Sequence, residues 1–344
     1  MTEITFPIIV DNNPLRDNAS RLLHQKIKEW ETIGGGRNSQ VYRALAEDGF
    51  TYAIKFYFQD TRKRLEVEYL GLSFLWNQQV RNIPQPLKRN DEHHCAIYSF
   101  LLGEKVLSPS SGDIKQMLLF IENLYFLSKN EKAKDLPPAS DACFSLSSAL
   151  AIIERRLQRL RSTSSNIGLH HYLNEQFLPL YRRLHQSLNE NSKLDISVSQ
   201  RILSPSDFGF HNALRTTEGK IFFLDFEYFG WDDPAKMISD VLLHPGMNLS
   251  LSIKEEFLAG ALTIFEDQPD LVIRLKQALP FYGLIWCLIL LNEFISEDQQ
   301  RRSFAAGKAV DKEILQQQLQ KAESLLHKIN KGEIFAPFGK NNNW

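Results

Sequence analysis

Two groups of side chains in this chain are of the types that handle phosphate and divalent ions: Lys55 with Glu68, and Asp207 with Asn212 and Asp225. Lys55 lies in Thr51-Tyr52-Ala53-Ile54-Lys55-Phe56-Tyr57-Phe58, whose β-branched and aromatic content predicts a strand. A period of two puts Ala53 and Lys55 on one face and Tyr52, Ile54 and Phe56 on the other. Lys55 is thus a single ammonium in an apolar strand, beside an alanine that leaves room above it. Such a lysine could snorkel to solvent from an edge strand. The following helix argues otherwise, because Leu65, Glu68, Leu72 and Leu75 share one stripe, which sets Glu68 among core leucines. A carboxylate there needs a cation, and Lys55 is the nearest candidate partner. Glu66, on the adjoining face, is the lesser alternative to Glu68.

The second group flanks two apolar runs separated by Thr216-Thr217-Glu218-Gly219-Lys220, which read as a β-hairpin. The midpoint of Asn212 and Asp225 falls between Glu218 and Gly219, so these two residues are expected to oppose each other near the open end. Directly opposed Cα atoms stand about 4.5 to 5.5 Å apart, close enough for two oxygen-bearing side chains to share a cation. Asn plus Asp suits Mg²⁺, which takes few protein ligands and completes its shell with water and phosphate oxygens. Asp207 is a further carboxylate close by in sequence. Read singly, Asp207 caps a turn and Asp225 ends a strand; the ordered set of five makes coincidence a poor account.

Ahead of Lys55, Ile33-Gly34-Gly35-Gly36-Arg37-Asn38-Ser39-Gln40-Val41 offers backbone N–H groups that could approach a phosphate, with the Ser39 hydroxyl as a further donor. No Gly-Lys pair in the chain continues with Ser or Thr, as a P-loop requires. A Rossmann loop opens a helix, whereas this one opens a strand.

The pattern Gly34-x-Gly36-x-x-Ser39-x-Val41, Tyr52-Ala53-Ile54-Lys55, Glu68, Asp207-x-x-x-x-Asn212 and Asp225-Phe226-Glu227 resembles the protein-kinase-like fold, and within it the aminoglycoside phosphotransferase and choline kinase family. The resemblance runs over roughly residues 25 to 300. It implies an ATP-dependent kinase for a small hydroxylated molecule such as a sugar, amino sugar or amino alcohol. It implies that Gly34, Gly35, Gly36, Ser39 and Val41 cover the ATP phosphates and that Ala53 borders the nucleotide. Lys55, paired to Glu68, would contact the α- and β-phosphates, and backbone groups near Ser99 to Leu101 would meet adenine. Asp207 would orient or deprotonate the acceptor hydroxyl, Asn212 and Asp225 would hold Mg²⁺, and Asp240 would brace the catalytic loop. The chain departs from the family pattern at Pro205, where a histidine is usual, at Ser206, and at Ser39 in place of the loop's third glycine. Pro205 cannot reproduce a histidine's hydrogen bonds, which leaves a non-catalytic nucleotide-binding or scaffold protein as the alternative. A protein kinase is less favoured, because no Ala-Pro-Glu-like element follows Asp225.

These groups need a scaffold, and the chain's patterning supplies one. Residues 1 to 102 are dense in short β-like runs and predict a small antiparallel-sheet N-lobe, residues 1 to 25 forming an extension; residues 103 to 344 predict a larger, mainly helical C-lobe, for an α+β bilobal fold. With 344 residues, 43% hydrophobic, the chain can build two lobes. Its 40 Lys+Arg against 41 Asp+Glu give no basic footprint for nucleic acid. The longest apolar run, Leu279 to Leu291, contains Pro280 and Gly283 and is too short for a bilayer; with no export signal at the start, no membrane partner and a cytoplasmic location are expected. Cys95, Cys143 and Cys287 are too scattered for a zinc site, and the pairs His93-His94 and His170-His171 lack metal-site spacing.

Around the acceptor, Asp232, Asp233, Glu293, Glu297 and Asp298 could line a cleft for a cationic amino sugar, and Trp231, Phe281, Tyr282 and Trp286 could cradle a quaternary ammonium. Arg155, Arg156, Arg159 and Arg161 read as a solvated helix face opposite Leu157 and Leu160.

Overall fold

A computed structural model describes residues 13–33, 38–163, 165–188, 195–306 and 312–339. The N-lobe opens with α1 (Pro14–Leu23), whose first amides are capped by the Asn13 side chain. Strands β1 (Ile27–Thr32), β2 (Ser39–Ala46) and β3 (Thr51–Tyr57) are followed by α2 (Arg64–Asn77), β4 (Pro86–Asn90) and β5 (Cys95–Ser99). They form an antiparallel sheet in the order β1-β2-β3-β5-β4. Lys55 therefore sits on the central strand, which removes the snorkelling alternative. Its period of two is realised: Tyr52, Ile54 and Phe56 join the cluster under α1, and Ala53 and Tyr57 join the one under α2.

The C-lobe begins with β6 (Glu104–Lys105) and α3 (Ser111–Leu127), which starts at a capping box between Ser110 and Asp113. It continues through α4 (Leu146–Thr163), α5 (Ile167–His171) and α6 (Leu178–Gln186) to short strands β7 (Ile202–Ser204), β8 (Ala213–Arg215), β9 (Ile221–Phe223) and β10 (Gly230–Asp232). Helices α7 (Pro234–Leu243), α8 (Leu251–Ile264), α9 (Leu271–Leu290), α10 (Ser296–Ala306) and α11 (Lys312–Asn330) complete it. The stretch Leu271–Phe294 is long and apolar enough to cross a membrane, with a mean hydropathy of 1.3 over its most apolar 18 residues, but 72% of that window is buried within the protein as a core helix would be.

Packing joins the pieces that matter. Phe120 on α3 stacks on Phe208, which follows Asp207, with ring centroids 5.6 Å apart, and lies edge-on to Phe226, which follows Asp225, at 6.2 Å. One core aromatic thus sets the loops of both acids. On the other side, Phe229 packs so close to α2 that a Cβ on Gly71 would stand 2.5 Å from its ring. Gly71→Ala is expected to lower stability by about 1–2 kcal/mol in chemical denaturation, overpacking outweighing the better helix propensity of Ala. An unchanged or higher midpoint would contradict this contact.

The hairpin register differs from the expected one. Ala213 pairs with Phe223 and Arg215 with Ile221, so Asn212 stands level with Leu224, whose N–H donates to the Asn212 carbonyl at 2.8 Å. The cause is the turn: Thr216 N–H bonds the Lys220 carbonyl across a three-residue loop in which Gly219 has φ +79°, and this loop centres the hairpin on Glu218. Asp225 lies one residue beyond, in the left-handed region at φ +63°.

Candidate active site

Lys55 and Glu68 meet as their spacing predicts, Nζ to Oε2 at 2.6 Å, both side chains under one-tenth exposed. Lys55 Nζ also lies 2.7 Å from Asp225 Oδ1, so the N-lobe strand and the post-hairpin loop converge on one ammonium. Tyr57 donates its hydroxyl to Glu68 Oε2 at 2.7 Å, and the Phe226 N–H reaches Glu68 Oε1 at 3.2 Å. Glu66 takes no part in this pairing; it lies 3.5 Å from Lys63 near the surface.

Glu227 is a fourth member that sequence reasoning passed over. It is buried 3.6 Å from Lys55 Nζ and 3.7 Å from Arg64 Nε, and it accepts a hydrogen bond from Asn38. Burial, reinforced by Asp225, pushes the Glu227 carboxyl up to about 8, and burial likewise raises Glu68. Burial opposes the Lys55 charge, but Asp225, Glu68 and Glu227 outweigh it and hold the ammonium well above its usual value.

Asp207 has a support of its own. His211 Nε2 lies 3.0 Å from its Oδ1 and His244 Nε2 lies 3.4 Å away, the two imidazoles stacked 3.7 Å apart at 9°. Burial raises Asp207, yet the bonds from His211 and His244 outweigh it and hold the carboxyl well below the usual range. Pro205 stands where the resemblance implies a histidine, and His211 and His244 are the histidines that contact the Asp207 carboxylate. His211 was visible in the sequence four residues on from Asp207; His244 arrives from the end of α7 and had no local signal.

Asn212 donates from Nδ2 to the Asp207 carbonyl at 2.9 Å and lines the cavity together with Asp225. Both are hard oxygen donors, a set that fits Mg²⁺. Asp240 is placed differently from the expected brace. Its carboxylate accepts from Lys236 at 2.7 Å and from Trp286 Nε1 at 2.8 Å and makes no bond to residues 205–212, because α7 presents His244, not Asp240, to the catalytic loop.

Ser39 is buried on β2 facing Tyr57, and Val41 and Ala53 lie on adjoining strands at the Lys55 level and two pairs beyond. Gly34, Gly35 and Gly36 fall outside the described residues. At the end of β5 the Ser99 N–H bonds the Gln85 carbonyl at 3.0 Å and is not open to a ligand; Leu101 is half-buried at the lobe crossover.

Asp207, Asn212 and Asp225 share a cavity of about 340 Å³ that runs between Asn38 and Asp225 on one side and Tyr282 and Trp286 of α9 on another; Lys55, Glu68, Ser39, Val41, Ala53 and Leu101 are not among its lining residues. Of the residues expected around an acceptor, Tyr282 and Trp286 line it. Asp232, Asp233, Glu293 and Asp298 do not, because each is buried in an ion pair with Lys236, Arg274, Arg302 and Arg301 respectively, and Glu297 is 70% exposed. Trp231 is held on β10 by a bond from Nε1 to the Ala133 carbonyl, and Phe281 is core. Arg156 departs from the solvated-face reading: it is buried against Asp141 and lines the cavity.

Solved structures share this architecture. An aminoglycoside phosphotransferase in complex with gentamicin superposes with a TM-score of 0.61 at 15% identity, over 94% of this chain and 97% of its own. The chain has the protein-kinase-like fold. Choline kinase LicA from Streptococcus pneumoniae gives a TM-score of 0.57 at 13% identity over 91% of this chain and 98% of that one, and a spectinomycin phosphotransferase bound to ADP and spectinomycin gives 0.60 at 11% over 93% and 98%. These are the groups that the motifs resemble. No protein-family model and no curated protein matches the chain. The kinase-like fold explains the two-lobed convergence at Lys55, since a central strand of one lobe and a loop of the other must meet across the cleft.

Proposed function

We propose that this protein is an ATP-dependent small-molecule kinase that transfers the γ-phosphoryl group of Mg-ATP to an acceptor hydroxyl. The observation that carries the reading is the junction of Lys55, Glu68 and Asp225 beside an Asp207 carboxylate that opens into the same cavity. The fold's solved neighbours, named for aminoglycosides, choline and macrolides, support a small acceptor. ADP, AMP and ATP complexes among them support nucleotide binding.

Asn212 and Asp225 would hold Mg²⁺, which when bound neutralises charge on the phosphate oxygens. Lys55, aimed by Glu68, places an ammonium where the α- and β-phosphates are expected. Asp207, kept ionised by His211 and His244, accepts the acceptor's hydroxyl hydrogen bond and lines its oxygen up for attack. A transition state with little nucleophile bonding asks for alignment more than for a strong base, so a carboxylate of low basicity suffices. Because the two histidines support Asp207, the loss of a histidine at Pro205 is poor ground for a non-catalytic scaffold.

The test is ADP release from Mg-ATP with a panel of sugars, amino sugars and amino alcohols. At least one acceptor is expected to stimulate release, and Asp207→Asn to cut that rate by about 10²–10⁴-fold with nucleotide affinity kept. ATP binding without any acceptor, together with an Asp207→Asn variant indistinguishable from wild type, would defeat the reading.

A further inference from the structure

The cavity beside Asp207 holds guanidinium groups that the transfer chemistry above does not use. Arg62 from the loop before α2, Arg156 from α4 and Arg301 from α10 all line it. The side chains of Arg156 and Arg301 are each 8% exposed. Arg156 contacts Asp141 through Nη2 and Asn292 through Nη1, the latter at 3.4 Å, and Arg301 contacts Asp298 at 2.7 Å. In both, the Nε–H is buried with no partner among the described residues. The Arg62 side chain makes no hydrogen bond or ion pair with any described residue. Burial, with Arg64 and Arg62 nearby, pulls the Arg301 guanidinium below its ordinary value in spite of Asp298.

The carboxylates on the same walls are already engaged. Asp141 is held by Arg155 and Arg156, Asp225 by Lys55, Asp240 by Lys236 and Trp286, and Asp207 by the two histidines. A cationic acceptor would find no open counter-charge here. An oxyanion would meet guanidinium groups on the cavity walls, among them an Arg62 without an ion pair to any described residue and an Arg301 that has Arg62 and Arg64 nearby, the setting in which arginine binds carboxylate, sulfate or phosphate in a charge-assisted fork. The loop carrying Asp141 touches the catalytic loop, Ser206 Oγ donating to the Ser140 carbonyl at 3.1 Å, which sets Arg156 on the Asp207 side of the cavity.

We propose that the acceptor carries an anionic group, a carboxylate, sulfate or phosphate, in addition to its hydroxyl, and that Arg62, Arg156 and Arg301 hold it. This rests on the kinase reading for the word acceptor, not for the anion site itself.

Inorganic sulfate is the first probe, titrated at constant ionic strength into the full chain saturated with Mg²⁺ and a non-hydrolysable ATP analogue, so that the nucleotide's own phosphate positions are filled. A saturable site is expected, weakened at least about tenfold by Arg156→Gln and by Arg301→Gln. Arg62→Gln, at a half-buried position that forms no pair, decides the matter if either buried variant fails to fold, and is expected to weaken sulfate by about threefold or more. No saturable site, or one indifferent to these arginines, overturns the proposal. So does a site that vanishes when the analogue is bound, or variants that weaken ATP but not AMP, since the anion is then the γ-phosphate. The second probe is ADP release with glucose, glucuronate, a glucose phosphate and glucosamine, and with other neutral and cationic acceptors each matched to an anionic derivative. The best acceptor is expected to be anionic and its KM to rise in Arg156→Gln; a neutral or cationic best acceptor overturns the proposal. Arginine-dependent sulfate binding with no ADP release from any acceptor would instead defeat the kinase reading and leave the anion site standing.

Discussion

Asp225→Asn is expected to reduce phosphoryl transfer by at least about 10²–10³-fold while leaving thermal stability equal to wild type or higher. The two parts have opposite origins. Asp225 supplies a hard oxygen to the metal position and faces the ammonium that meets the phosphates, so its loss removes charge neutralisation where it acts. Structurally, however, Asp225 is one of three carboxylates gathered with Glu68 and Glu227 around Lys55. Burial and the Asp225 charge are what push Glu227 up to about 8, and the same charge raises Glu68. Neutralising Asp225 relieves repulsion between buried like charges and still leaves Lys55 paired to Glu68. The measurement is steady-state ADP release beside a melting curve. Wild-type turnover would remove Asp225 from the metal position, and a large fall in melting temperature would make it a structural residue.

How much of this was readable from the chain depends on whether a residue interrupts a pattern. Lys55 and Glu68 did, each a lone charge on an apolar period, and their pairing was therefore foreseeable. Glu227 interrupts nothing: Asp225-Phe226-Glu227 has no period against which a buried acid stands out, and its burial comes from Asn38 and Arg64 brought in from the other lobe. His244 joins Asp207 only because α7 ends beside the catalytic loop, a tertiary fact with no local trace. The hairpin was legible as a hairpin, but its register depended on whether Gly219 closes a two- or a three-residue loop, and composition alone does not separate these. Arg156 was misread because helical periodicity reports which face meets the helix's own core and is blind to a loop, here that of Asp141, folding over the other face. Asp233, Glu293 and Asp298, expected around the acceptor, failed for the same reason, since a carboxylate next to an unseen arginine turns toward it and away from the cavity, as Asp232 turns toward Lys236.

Lys55→Met is expected to match Asp225→Asn in lost turnover and to differ from it in stability, falling by about 3–5 kcal/mol. Removing the ammonium leaves buried Glu68 and Glu227 beside a partly buried Asp225, with Arg64 on Glu227 as the nearest cation among the described residues. The deficit has a signed pH dependence. Glu68 and Glu227 already titrate above their unfolded values, so their protonated forms favour the fold, and the stability they contribute is present below the ordinary carboxylate range and lost as pH rises through about 8 for Glu227. Without Lys55 that loss steepens, so the gap between variant and wild type should be small under acid conditions and widest above neutrality. Urea denaturation at several pH values measures it, and a gap that is flat with pH or widens toward acid would contradict the charge cluster. The double variant Lys55→Met/Glu68→Gln then separates structure from chemistry: it is expected to recover part of the lost stability, because a carboxylate leaves with its ammonium, and none of the turnover, because no other described side chain brings a cation to Asp225 within ion-pair distance.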